Sequence, residues 1–594
     1  MESIQRKRWP HFLIAILVLL LPLLNGCTKD QEVSKKATTQ SDEAATLVLK
    51  NGMIYTMEDH QPTAEAVAAK DGKIVFVGST KEVEKYVGKN TKVIDLKGKM
   101  VSPGFMDGHT HIPGLWLTKL FEVDLSNLNS HEEYIKAVSD YRKKNPNVNI
   151  ITGLGWVNGP YEQKDGTNPG PTKEDLDAVV SDIPVILLSI DHHSVWANSK
   201  ALEMAKITKD SKAPKGGMIE HNADGSPRGV LREGAMDLVA DVQALFKPTK
   251  EQYKEAILKY QEEMHSFGMT GIMTFEDKEH LIDILGELEQ EGKLTMRVAG
   301  AYFIYPDSTP DEAVQKVKAA SQKYHSDWLR ANTIKLYADG VTEGKTALFI
   351  QPYTEKAGMG HNHHGEMPWE VNDFNKMVAA VDKAGIQLHI HAIGDGAVNA
   401  GLNAIENAVK TNGERDSRHI ITHISSIQDN DIPRMKALKV IAALQPFWFY
   451  KDQYYGLEKA MVGEDRALAM YPARKIWDAG VTISGSSDYP PTPDYRPLNS
   501  IETGVTRNSP YPEEQDQDMV RNASQALTVQ EMLQAVTKNV AYQMFRENDL
   551  GTLKVGKKAD MVVLGQDITK IKPKDISETP VYYTIVDGKI VYKK

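Results

Sequence analysis

Val101-Ser102-Pro103-Gly104-Phe105-Met106-Asp107-Gly108-His109-Thr110-His111 is the stretch on which the fold turns. An apolar run with a glycine hinge reads as a short buried strand ending in two histidines. Residues i and i+2 of a strand share a face, so His109 and His111 project together from one strand end. Two convergent imidazoles suit a divalent transition metal such as zinc, but two ligands do not make a site. The other ligands have to come from elsewhere in the chain.

Working outward, apolar runs of the same kind recur. After residues 104–111 they fall at 269–276, 296–304, 332–340, 386–394, 419–425, 439–445 and 481–488. Amphipathic stretches lie between many of them, such as 250–267, 372–384 and 397–409. Eight alternations of strand and helix spell a (β/α)8 barrel, here over residues 103–545. Residues 115–245 break the rhythm with further β-like pieces and are too long for a loop, so they read as a subdomain inserted after strand one.

Turn signals at Lys50-Asn51-Gly52, Asp71-Gly72-Lys73 and Lys97-Gly98-Lys99 separate short β-like segments near the start, and Asp587-Gly588-Lys589 does the same near the end. Residues 46–102 and 546–594 therefore read as one small β domain built from both ends. The expected class is α/β: a TIM-like barrel with an inserted subdomain and a small β-sandwich from the two ends of the mature chain.

The extreme N-terminus reads differently. Arg6, Lys7 and Arg8 form a basic head, residues 12–24 are apolar, and Leu24-Asn25-Gly26-Cys27 follows. This reads as a secretory signal over residues 1–26 whose cleavage site resembles the bacterial lipobox. Lipidation of Cys27 would tether the chain to the extracytoplasmic face of a cell membrane. Residues 27–45 are polar and without aromatics, as a flexible tether would be.

Cys27 is the only cysteine of 594 residues. That excludes an intrachain disulfide, a Cys-ligated zinc and a thiol nucleophile. The net charge of −10 and pI near 6.0 offer no basic stripe, which argues against nucleic acid. A small-molecule substrate remains the expected partner, and self-association is left open.

The later strand ends carry the missing chemistry. Strand four holds Lys335 among apolar residues, strand five ends His389-Ile390-His391-Ala392-Ile393-Gly394-Asp395, strand six ends Thr422-His423, and strand eight ends Ser486-Ser487-Asp488. In a barrel these C-terminal ends meet at one rim. His389 and His391 share a face, so spacing does not separate them.

With Gly153-Leu154-Gly155-Trp156, His193-Ser194-Val195-Trp196, Gly229-Val230-Leu231-Arg232-Glu233, Ser487-Asp488-Tyr489-Pro490 and the terminal Gly551-Thr552-Leu553-Lys554-Val555-Gly556-Lys557-Lys558-Ala559-Asp560, the chain resembles the amidohydrolase superfamily, in its YtcJ-like branch (amidohydrolase family 3), over residues 46–594.

The resemblance implies roles. His109 and His111 bind one metal, while His391 and His423 bind a second or complete the shell of the first. Lys335 matches a lysine that some relatives carboxylate into a metal bridge. Asp488 matches the aspartate that ligates metal and accepts a proton from the attacking water. His389 is left to support a ligand or face substrate, and His193 and Glu233 match substrate-contacting positions of the insert. Two departures stand out: Thr422 replaces the usual glutamate of strand six, and Ser486 the usual glycine of strand eight. The segment His361-Asn362-His363-His364 reads as a glycine-bordered active-site loop.

The implied activity is metal-dependent hydrolysis of a non-peptide carbon–nitrogen bond, in an amide, N-acyl, N-formyl or cyclic amide compound. Ester hydrolysis or isomerisation on the same metal site is the alternative. A lipid-anchored binding protein is a third reading, which leaves the His and Asp set idle.

Overall fold

Eight segments pair in parallel, in chain order: β1 (Phe105–Thr110), β2 (Met269–Glu276), β3 (Arg297–Phe303), β4 (Leu329–Tyr337), β5 (Gln387–Ala392), β6 (Ile420–His423), β7 (Ile441–Leu444) and β8 (Ile483–Gly485). Both faces of these strands are covered, so they read as apolar runs and not as alternation. Every residue of β1, β2 and β5 is buried. The last and first strands meet just past their ends, where the Asp488 N–H donates to the His109 carbonyl at 2.8 Å and the His111 N–H to that of Tyr489 at 2.9 Å. The chain is an α/β protein built on a TIM-like barrel. This computed structural model describes residues 44–594, save 127, 158, 162–169, 191–193, 215–216, 277–279 and 493. The expected signal, Cys27 and nearly all of the expected tether lie outside the described residues.

Helices return the chain between strands. Lys250–Ser266 starts at a reciprocal cap between Thr249 and Gln252, and Pro310–Lys323 at one between Thr309 and Glu312 with proline in its first turn. Val371–Lys383 and Asp395–Asn412 turn apolar residues such as Val378, Val381, Leu402 and Ile405 into the layer against the barrel. One boundary differs from expectation. β4 starts at Leu329, not Asn332, because the charged Arg330 hides an apolar pair that continues the ladder to β3 (Val298 opposite Leu329, Gly300 opposite Ala331).

Between β1 and β2, six strands form a separate mixed sheet, from Val123–Asp124 to Pro227–Arg232. It has its own apolar layers, around Trp156 and Trp196 on one side and Leu202 and Leu231 on the other.

Both chain ends build two further sheets. One contains Leu47–Lys50, Ala66–Lys70, Lys73–Gly78 and Lys92–Asp95; the other includes Met53–Tyr55, Met100–Pro103, Met561–Leu564 and Val581–Val586. Their facing side chains, among them Leu47, Leu49, Val67, Val101, Met561, Val563 and Ile585, make one core. This is the sandwich expected from the two ends. Met100–Pro103 runs straight into β1, so the sandwich sets where the HxH strand enters the barrel.

Candidate metal centre

The parallel strands bring five polar ends to one rim. β1 delivers His109 and, one residue past it, His111; β4 delivers Lys335, β5 His389 and His391, β6 His423, and the segment after β8 delivers Asp488. His109 Nε2, His111 Nε2 and Asp488 Oδ1 form a triangle with edges of 3.3, 3.2 and 3.2 Å. Donor atoms of His109, His423 and Asp488 also lie within 4.8 Å of one another. Only His111 shows substantial side-chain exposure, 29 %, which marks the open side of the cluster.

Hydrogen bonding assigns the protons, which the partners dictate. The Thr422 hydroxyl donates to the Ala443 carbonyl at 3.1 Å, so its oxygen accepts. His109 Nδ1–H then donates toward His389 Nε2 (2.9 Å) and Thr422 Oγ1 (3.2 Å), which leaves a lone pair on His109 Nε2. His423 Nδ1–H donates to Gln445 Oε1 at 3.0 Å, leaving its Nε2 lone pair free. Gln445 is held in that orientation by its own amide donating to Ser486 Oγ at 2.8 Å, and Ser486 donates onward to the Leu444 carbonyl. His391 Nε2–H donates to the Gly340 carbonyl at 3.0 Å, so its Nδ1 is the acceptor.

Burial keeps these imidazoles neutral. It pushes His109, His389 and His423 well below the ordinary histidine value and His391 to about 3, with Lys335 or a neighbouring histidine adding to the effect. Burial would raise Asp488, but the hydrogen bond from His111 and the nearby positive groups hold it below the usual carboxylate range. The His109–Asp488 approach at 3.2 Å is therefore a neutral lone pair facing a carboxylate. Acceptors packed against acceptors repel unless a cation lies between them. Bonds of about 2.0–2.1 Å in a tetrahedral metal shell place ligand atoms about 3.3 Å apart, the length of all three edges here. The donor set fits a divalent cation.

Lys335 is buried, with Nζ 3.4 Å from His109 Nε2 and over the Phe275 ring at 4.7 Å. Desolvation lowers it from 10.5 to about 7. His389 corrects one expectation. It is fully buried behind His109, with Nδ1 3.3 Å from Met273 Sδ, and has no surface to offer a substrate. Thr422 and Ser486 are hydrogen-bonding members of the histidine network, not mere gaps in a pattern.

Backbone strain gathers here as well. His423 and Asp488 have φ of 76° and 56°, the left-handed region that non-glycine residues seldom adopt. Asp107 pins this geometry by accepting from the backbone N–H groups of His109 (2.9 Å) and Ser487 (3.0 Å), tying the ends of β1 and β8 together. Asp339 accepts from the N–H groups of Leu348, Ile393 and Gly394. A Cβ on Gly394 would stand 2.0 Å from the Leu348 carbonyl oxygen, so the glycine of His391-Ala392-Ile393-Gly394-Asp395 admits the loop that follows β4.

Asp107, Asp339 and Gln445 are the residues that sequence reasoning passed over. Asp107 stood in the stretch quoted for its histidines, Asp339 in the run at 332–340 read for Lys335, and Gln445 closed a strand that carried no histidine. In the loop segment, His363 and His364 face the Lys345 and Phe349 carbonyls, and His361 pairs with Glu355 at the surface. Glu233 is exposed at the end of an insert strand, with φ of 51°. His193 lies outside the described residues.

The "Amidohydrolase family" model matches residues 92–592. A Bacillus subtilis (strain 168) protein named "Putative amidohydrolase YtcJ" is 29 % identical over 545 residues, covering 91 % of this chain and 98 % of that one. The N-substituted formamide deformylase of Arthrobacter pascens is 24 % identical over 561 residues, 92 % of this chain and 98 % of its own. Among solved structures, an uncharacterized metal-dependent hydrolase from Pyrococcus furiosus is 27 % identical with a TM-score of 0.68, over 88 % of this chain and all of the other. The family match covers the β1 histidines, every later strand and the terminal return into the sandwich, and the chain belongs to the amidohydrolase family.

Proposed function

We propose that the chain hydrolyses a non-peptide carbon–nitrogen bond of a small molecule: an amide, N-acyl, N-formyl or cyclic amide. The observation that carries this reading is the triangle of His109, His111 and Asp488 side-chain atoms, all within 3.3 Å, beside two further histidines. His109, His111 and Asp488 would hold one divalent ion, for which zinc suits the mixed nitrogen and oxygen donors. His391 and His423 would complete its shell or hold a second. A bound ion supplies the Lewis acidity that makes water nucleophilic near neutral pH and polarises a carbonyl.

The chain's own groups do the rest. Asp488 accepts the proton of the attacking water and returns it to the leaving nitrogen. Its Oδ1 faces His109 and His111, and Oδ2, 3.9 Å from His423 Nδ1, is the oxygen free to carry that proton. Gln445 keeps His423 in one tautomer, and His389 does the same for His109. Lys335, poised near 7 by burial, has a neutral amine available to add carbon dioxide, losing one proton and becoming an anionic carbamate within reach of His109. His193 and Glu233 of the insert are assigned to substrate contact, and Cys27 to a lipid anchor on the extracytoplasmic face of a cell membrane.

The test is a screen of N-formyl and N-acyl compounds on the purified, metal-analysed chain. Turnover that chelation abolishes and zinc restores is expected. A chain that binds such compounds and releases them unchanged, with metal at full occupancy, overturns the assignment.

A further inference from the structure

A cavity of about 300 Å³ opens beside the metal centre, at the ends of β3 and β4. Its walls are chiefly Ile304, Tyr305, Pro306, Tyr337, Pro368 and Trp369. A layer of aromatic rings borders it on the side of the histidine cluster. The Tyr337 ring lies 4.8 Å from that of His391 and 5.5 Å from Phe303, parallel to within 2°; Phe303 in turn stacks at 6.2 Å on His111. Asp339 and Gly340 line the cavity too, and Gly340 is the residue that orients His391.

From this geometry we infer that the cavity takes a neutral, flat, apolar substituent of the substrate, one or two rings in size, with the scissile bond at the histidines. The inference rests on the hydrolase reading and narrows its substrate class. Three observations carry it. The wall is aromatic and proline-rich, which favours stacking of a planar group. The volume lies at the small end of ligand pockets, which limits the group to about two rings. Its only charged side chains among the lining residues are carboxylates, Asp339 and Glu366, with no lysine or arginine to receive an anion. Asp339 is already engaged by three backbone N–H groups, so Glu366 is the carboxylate left to repel an acidic substrate. Compounds carrying a free carboxylate on the ring side, N-acyl amino acids among them, fit poorly.

The experiment measures dissociation constants on the metal-loaded chain for three ketones that have no carbon–nitrogen bond to cleave: acetone, acetophenone and 4-acetylbenzoate. Burial of the ring predicts acetophenone tighter than acetone by roughly 10- to 100-fold. The anionic 4-acetylbenzoate is expected to be weaker than acetophenone. Tyr305, exposed at the mouth, is the variant position. Tyr305→Ala should narrow the acetophenone advantage, and Tyr305→Trp should alter it by filling the space.

Equal affinity for acetone and acetophenone, an advantage that neither Tyr305 variant changes, or tightest binding of 4-acetylbenzoate would overturn the inference. A parallel comparison of kcat/KM for formanilide and N-methylformamide separates the two claims. No turnover of either amide counts against the hydrolase reading, while the ketone constants still decide what the cavity accepts.

Discussion

Two of the polar clusters that the barrel buries, one at each end, are built on opposite principles. At the N-terminal end, Arg297 of β3 meets Asp560 through two hydrogen bonds of 2.9 and 3.0 Å and Asp587 at 3.2 Å, while its guanidinium stacks over Trp328 at 4.0 Å. Charges there are matched by charges, and the result locks the C-terminal return of the chain onto the barrel. At the C-terminal end, the His109 lone pair faces the Asp488 carboxylate at 3.2 Å, and His111 Nε2 lies within 3.3 Å of both. A buried set whose charges cancel one another is architecture, and one in which an imidazole lone pair faces a carboxylate is shaped for a cation.

Substitutions at the two ends should separate these roles. The largest effect is expected from Asp488→Asn, which removes the proton acceptor. Turnover should fall roughly 10²- to 10⁴-fold while the midpoint of urea unfolding and most of the bound metal remain, as read by steady-state kinetics and metal analysis. Unchanged turnover would remove Asp488 from the mechanism.

At the other end, Asp560→Ala leaves the buried Arg297 with Asp587 as its remaining carboxylate and should cost about 3 kcal/mol of stability in urea titration. Metal stoichiometry should not move. Loss of metal without loss of stability would erase the contrast between the clusters.

Lys335 makes the metal end of the barrel sensitive to pH. Its folded value near 7 lies below the 10.5 of the free side chain. Between those limits the unfolded chain binds a proton that the folded chain does not, so metal-free stability rises with pH, by up to about 1.4 kcal/mol per unit. Urea midpoints at pH 7.5 and 9 should show the wild type gaining on Lys335→Met by about 2 kcal/mol. Parallel profiles would mean that Lys335 is not desolvated as described.

The smallest effect belongs to Gln445→Leu, which frees the His423 ring. Zinc affinity should drop about 10- to 100-fold by chelator competition, with stability little altered. An unchanged affinity would make the Gln445 contact incidental.

What the chain discloses unaided follows the same division. The eight strands were legible because a strand covered on both faces is an uninterrupted apolar run, and His109, His111, Lys335, His391, His423 and Asp488 stood at the ends of such runs. Asp107 and Gln445 were not, since each acts through a partner far along the chain, Ser487 or His423. His389 shows the limit of period-two reasoning. It shares a face with His391 but sits two residues, about 6.6 Å, deeper in the barrel, behind the metal-facing layer. Arg330 shows another, as one charged residue concealed the true start of β4.

The measurement that bears most directly on the central claim is equilibrium binding of zinc to the metal-stripped chain, compared with His109→Ala. The converging acceptors predict tight binding of one or two ions per chain by the native protein. They also predict a loss of at least one of those ions, or of most of the affinity, in a variant that still folds. Indistinguishable binding by the two folded proteins, or no binding by either, would contradict the claim that His109, His111 and Asp488 converge on a cation.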